Sequence, residues 1–198
     1  MRGCERPPEP AWFAERSPEW ARRWLASGAF AWPTLERVPV NRRLLDEALL
    51  PMTAAHCAYC DAAPLGAASR ATIDHHLPKS AHPELAFAYA NLYAACDVCQ
   101  QAKGDRIEPD ALRPDLEGYR FQDWFLFRPE NGEIVPRPDA TAVQCARAAA
   151  TIRWFELNDH GRPGARRRAW QQRAREYDPG PLDEYSYRFL WEEAPPDP

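Results

Sequence analysis

The segment Ala71-Thr72-Ile73-Asp74-His75-His76-Leu77-Pro78-Lys79-Ser80, written ATIDHHLPKS, decides how this chain is read. A short β-branched run ends in a carboxylate and two imidazoles. Successive strand residues point to opposite faces. At the end of a short twisted strand, Asp74 and His75 can therefore address a cation and a water separately. An imidazole can take a proton from water because its ordinary pKa lies near working pH. The residues alone leave His76 open between a partly exposed strand-end side chain, a phosphate contact and a minor role in the site.

Two cysteine pairs flank this segment. Cys57-x-x-Cys60 and Cys96-x-x-Cys99 are separated by 35 residues. Two intervening residues let both thiolates of a pair converge on one ion from a tight turn. Two such turns complete a tetrahedral zinc site with no open position, which makes the site structural. The central segment has little apolar mass of its own, so a structural zinc would contribute on the order of 10 kcal/mol or more to its folding. Four buried free thiols are the alternative. His56, just before the first pair, packs over it or replaces a cysteine as a ligand. Cys4 and Cys145 stand alone and are read as an exposed thiol and a core residue.

Outward from the centre the pattern turns helical. Ser17-Pro18-Glu19 reads as a helix start running through WARRWLA to Gly28, and Asn41 as the cap of RRLLDEALL. TID (72–74) and NLYAA (91–95) read as strands, and QQAKG (100–104) as a short helix closed by Gly104. WFLF and EIVP form a hairpin about Asn131-Gly132. Asp139 is expected to cap a long helix, ATAVQCARAAATIRWFEL, followed by a break at NDHGRPG and a second helix, ARRRAWQQRAREY. YSYRFLW is helical or packed on the core, and the closing EEAPPDP reads as a solvated tail. The expected fold is α+β. A helical segment (1–55) leads into a zinc-stabilised β–β–α core (56–106), and a hairpin plus helices (107–198) make one compact unit with that core.

Composition bounds the function. The net charge is −4, so the chain is no dedicated nucleic-acid coat. No apolar run approaches the roughly 18–20 residues that cross a bilayer, and the charged, proline-containing start MRGCERPPEP lacks a signal core. A cytoplasmic location, with no membrane partner, is the expectation. The segment 162–175 holds six arginines and no acid. It reads as either a phosphate patch or a solvated or partner-facing helix face.

Taken in order, Cys57, Cys60, Asp74-His75, Pro78, Asn91-Leu92, Cys96, Cys99, Gln100 and Lys103 resemble the HNH endonucleases, whose site is a ββα-metal motif. The resemblance covers residues 56 to 106. It implies phosphodiester hydrolysis with His75 as general base and with Asp74 and Gln100 on a catalytic Mg²⁺ or Mn²⁺. Asn91 would hold the loop between the strands, and Cys57, Cys60, Cys96 and Cys99 a structural Zn²⁺. Lys79, Lys103 and Arg106 could contact the phosphate backbone of a DNA substrate, or be solvated surface charges. More narrowly, HCAYC, ATIDHHLPKS, HPELAFAYANLYAAC and CQQAKGD look like the HNH subunit of Septu-type and retron-associated anti-phage systems. That implies an ABC-type ATPase partner, which would fit the acidic net charge. The chain departs from this pattern at His76, where an aromatic is usual, and at Gln100, where Asn is usual. A stand-alone restriction-like nuclease and a non-cutting zinc-ribbon module remain the alternatives.

Overall fold

The computed structural model describes residues 1–192; all of the EEAPPDP tail except Glu192 lies outside them. The fold is mixed α+β, with small antiparallel sheets of two strands each. Helix α1 spans Ala11–Ser27, and the short strands β1 (Thr34–Leu35) and β2 (Val38–Pro39) follow it. Next comes a helical stretch made of α2 (Val40–Leu44), a π-helical turn (Leu45–Leu49) and α3 (Leu50–Thr53). The centre holds β3 (Ala71–His75), β4 (Leu92–Cys96) and α4 (Asp97–Lys103). The C-terminal part holds a hairpin, β5 (Phe125–Arg128) with β6 (Glu133–Pro136), then α5 (Ala142–Trp154) and α6 (Arg162–Arg173).

One hydrophobic core runs from Met1 to Leu190 and takes residues from all three parts of the chain. The centre of the molecule is the β3–β4 ladder, in which Ala71 faces Cys96, Asp74 faces Tyr93 and His75 faces Leu92. Helix α4 leaves the end of β4 and runs back along the ladder. Gln100 Nε2 donates to Ile73 O (2.9 Å), and Lys103 one turn later reaches Asp74. Helix α1 buries Phe13, Ser17 and Trp20 on one face. That face covers the loop between β3 and β4, with Trp20 against Phe87 and Phe13 against Tyr89.

Several helix starts differ from the sequence expectation. Helix α1 begins at Ala11, so Ser17 and Pro18 lie inside it. An interior proline costs about 3 kcal/mol or more; burial of Phe13 and Trp20 on the shared face offsets it. Asn41 is inside α2, which starts at Val40 after Pro39. Helix α5 is capped by Thr141 in a reciprocal capping box with Gln144, while Asp139 pairs with Arg137. Helix α6 begins at Arg162, three residues early, because Pro163 suits a first turn. The hairpin turn does fall at Asn131-Gly132. Gly132 has φ 81°, and a Cβ there would lie 1.9 Å from Pro163 O, so the turn seats directly on α6. YSYRFLW contains a short 3₁₀ turn, Arg188–Leu190, and buries Tyr187, Phe189 and Leu190.

Candidate functional site

The four cysteines converge. Cys57, Cys60, Cys96 and Cys99 are all buried, with sulfurs within 4.8 Å of one another. None is in a disulfide. A tetrahedron with Zn–S bonds of about 2.3 Å has edges of roughly 3.8 Å, and Cys60 Sγ to Cys96 Sγ is 3.8 Å. This donor set fits a metal such as zinc. Polar N–H groups point at three of its sulfurs. Cys96 N donates to Cys57 Sγ, Cys99 N to Cys96 Sγ and Arg162 Nη2 to Cys99 Sγ, each at 3.3 Å. Hydrogen bonds among the four thiols, those with Cys57 first, pull the Cys96 thiol well below its ordinary value and lower Cys60. Burial pushes the Cys57 thiol up, and its bond with Cys99 raises Cys99.

His56 does not replace a cysteine as a ligand. Its ring nitrogens face Ala54 O (2.6 Å) and Tyr185 O (2.9 Å), which ties the C-terminal stretch to the first cysteine turn. A second tie is ionic. Arg188 Nη2 meets Asp61 Oδ1 at 2.6 Å, and the Arg188 N–H donates to Asp61 Oδ2 at 2.6 Å, both buried.

At the other end of the ladder Asp74, His75, Pro78, Lys79, Gln100, Lys103, Gly104 and Asp105 line one pocket of about 200 Å³. Asp74 is 3% exposed. Tyr59 Oη donates to its Oδ2 (2.7 Å), and Lys103 Nζ to its Oδ1 (3.3 Å). Burial pushes this carboxyl up to about 6, against the pull of Lys103 and Tyr59 toward the ionised form. The Lys103 ammonium on Oδ1 favours the ionised form. His75 Nε2 donates to Ala86 O (2.9 Å), which leaves the Nδ1 lone pair as the free end of the ring. Phe30 meets the ring edge-on and Trp32 stacks on it, with centroids 5.5 and 6.0 Å away. Burial drops the His75 pKa to about 4, so the ring is neutral at physiological pH.

Asn91 fixes the loop that carries Ala86. Its Nδ2 donates to Leu77 O (3.0 Å) and Leu85 O (3.2 Å), and its Oδ1 accepts from Leu77 N (2.8 Å). Gln100 spends its amide N–H on Ile73 O, so the amide oxygen is the end available to a ligand. Lys79 lies with its ammonium 5.1 Å from the Phe30 ring centre.

Four expectations change here. Lys103 is no surface phosphate contact; it is 2% exposed and paired with Asp74. Arg106 lies off the pocket, donating to Lys103 O and Trp154 O at the end of α4. His76 is neither exposed nor near the pocket. The strand pleat turns it inward, edge-on to Trp154 (5.1 Å), with Nδ1 buried and unpartnered. Burial takes its pKa down to about 3. The arginine segment is divided. Arg162 holds Phe155 O and Glu156 O, and Arg166 holds Gly132 O, Leu157 O and Asn158 Oδ1. Both are buried supports, while Arg167, Arg168 and Arg175 are exposed.

Sequence reasoning missed Tyr59, Phe30, Trp32 and Ala86. Tyr59 occupies a spacer position of the first cysteine pair, where the motif requires no particular residue. The run AFAWP (29–33) is the one local hint of an aromatic cover. No family model matches the chain, and no curated protein matches it closely.

Proposed function

We propose that the chain is a metal-dependent endonuclease of the HNH type that hydrolyses phosphodiester bonds in DNA. The observation that carries this reading is the shared pocket. A neutral imidazole with a free Nδ1, a carboxylate and an amide oxygen line it together with two lysines. His75 takes the proton of the attacking water at Nδ1, because Nε2 is committed to Ala86 O. Asn91 and Ala86 set the plane of the ring, and Phe30 and Trp32 keep it dry on one side. Asp74 and Gln100 offer hard oxygen donors of the kind Mg²⁺ or Mn²⁺ takes. An ionised carboxylate has about four lone-pair sites, so Asp74 keeps capacity beyond Tyr59 and Lys103. When bound there, the cation would clamp the phosphate and stabilise the departing 3′ oxygen. Lys79 holds the phosphate at the pocket rim.

The central β–β–α unit is then the ββα-metal motif, and the four cysteines its structural zinc site. In the same reading the nuclease is the cutting subunit of a cytoplasmic anti-phage complex. An ABC-type ATPase positions it on DNA, and the exposed Arg167, Arg168 and Arg175 are available to follow the backbone. One observation favours the non-catalytic alternative, a zinc module that binds without cutting: both Asp74 oxygens already carry protein donors.

The deciding experiment is nicking of supercoiled plasmid with Mg²⁺ or Mn²⁺, with and without the ATPase. Wild type should cut. His75→Ala should cut about 10²- to 10⁴-fold more slowly with an unchanged circular dichroism spectrum. Equal rates for the two proteins, or no cutting by either under any of these conditions, would reject the enzyme.

A further inference from the structure

We propose that Lys103 sets the affinity of this pocket for a divalent cation, because its ammonium holds Asp74 until a cation and a phosphate arrive together. The inference rests on the reading of Asp74 as the cation ligand. It starts from the burial of Lys103, which is 2% exposed. A lysine is almost never that buried without a partner. Here Nζ has Asp74 Oδ1 at 3.3 Å and Gly104 O at 3.4 Å, and lies 5.5 Å from the Trp154 ring centre.

A Mg²⁺ or Mn²⁺ held by Asp74 would bring a second positive charge to a carboxylate whose Oδ1 already accepts from Lys103. The ammonium would then face a doubly charged ion across poorly screened interior. The two positive charges oppose each other on Asp74. Tyr59, on the other oxygen, presents no such conflict. It is a neutral donor, held by stacking on Phe155 with centroids 3.9 Å apart. Of the two protein groups on the carboxylate, the lysine is therefore the one that opposes the cation.

The charges lining the pocket point the same way. They are the carboxylates Asp74 and Asp105 and the cations Lys79 and Lys103. Formal balance is zero, which gives a bare divalent ion little to enter for. A substrate phosphate changes that by adding negative charge and by giving the displaced ammonium a new partner within the same pocket. The alkyl stem can stay while Nζ swings away from Asp74 and Trp154. Cation and phosphate then load together.

The test measures Mn²⁺ binding by the free-ion electron paramagnetic resonance signal, on the zinc-loaded full chain at pH 8. Lys103→Met retains the length and apolar stem and removes the charge. It should bind Mn²⁺ at least about tenfold more tightly than wild type. Asp74→Asn added to Lys103→Met should abolish the gain, and Tyr59→Phe alone should change affinity less than about threefold. If Lys103→Met disturbs the fold by circular dichroism, Lys103→Gln replaces it, with the same expectation. An affinity that is unchanged or weaker without the lysine charge overturns the proposal, and so does a gain that survives Asp74→Asn. Ion binding and cutting are separate readouts. Tighter Mn²⁺ binding in a chain that never cuts would retain this inference and reject the nuclease. A chain that cuts with lysine-independent Mn²⁺ affinity would do the reverse.

Discussion

The two ends of the β3–β4 ladder hold sites of opposite character. At the Ala71–Cys96 end, four soft sulfur donors turn inward and backbone N–H groups and a buried arginine surround them. At the His75–Leu92 end, the donors are hard oxygens and an imidazole nitrogen, and they line an open pocket. Helix α4 joins the two, with Cys99 in its first turn and Lys103 in its last. The lesson is a division of labour along one short helix. The closed end fixes position, and the open end keeps unspent bonding capacity.

The largest way to break this contrast is at the closed end. Cys57→Ser should release zinc and unfold the centre of the chain, a loss on the order of 10 kcal/mol. Metal content and thermal melting report it. Unchanged zinc and melting temperature would remove the structural role assigned to the cluster.

The next effect belongs to the C-terminal tie. Arg188→Met leaves Asp61 buried without its cation and should cost about 3–5 kcal/mol by urea unfolding. The cysteine end should loosen before the pocket end, seen as earlier zinc release. A cost near zero would mean that the buried Arg188–Asp61 contact contributes nothing.

A smaller effect tests the support beneath the pocket. Asp115 accepts from Tyr93 Oη (2.7 Å) and Arg6 Nε (2.7 Å). Burial alone would raise its pKa, but the bonds from Tyr93 and Arg6 outweigh burial and hold it below the ordinary carboxylate range. A depressed carboxyl contributes stability above its unfolded pKa and loses it as pH falls through the folded one. Asp115→Asn should therefore cost about 1–3 kcal/mol at pH 7, with the penalty shrinking below about pH 4. A penalty that does not depend on pH would contradict this.

The smallest change sharpens the open end. Gln100→Asn shortens the amide by one methylene and frees Ile73 O. If the amide oxygen binds the cation, the Mg²⁺ concentration for half-maximal cutting should shift by about two- to tenfold. No shift would take Gln100 off the metal.

Much of the arrangement was legible in the chain. Two C-x-x-C pairs converge on one point because their spacing is a local property of a tight turn. β3 and β4 follow from short β-branched and aromatic runs, and the Asn131-Gly132 turn from the need for positive φ. Helix starts were read less well. Ser17 and Asn41 look like caps, yet burial of Phe13 and of Val40 draws each helix past them. The charged residues were the least legible. Lys103, Arg162 and Arg166 read as surface cations, and all three are buried. Their partners are Asp74, Cys99 and the carbonyls at the end of α5, and those contacts span up to 63 residues of sequence.

The sequence by itself determined which side chains could meet a metal and in what chemical classes, because donor type and short spacing are local. Only the tertiary structure decided which of them have capacity left. His76 is sealed under Trp154, the Asp74 carboxylate is shared with Tyr59 and Lys103, and His75 keeps one nitrogen free. The physical reason is that desolvation and pairing depend on everything packed around a group, and most of those neighbours come from distant parts of the chain.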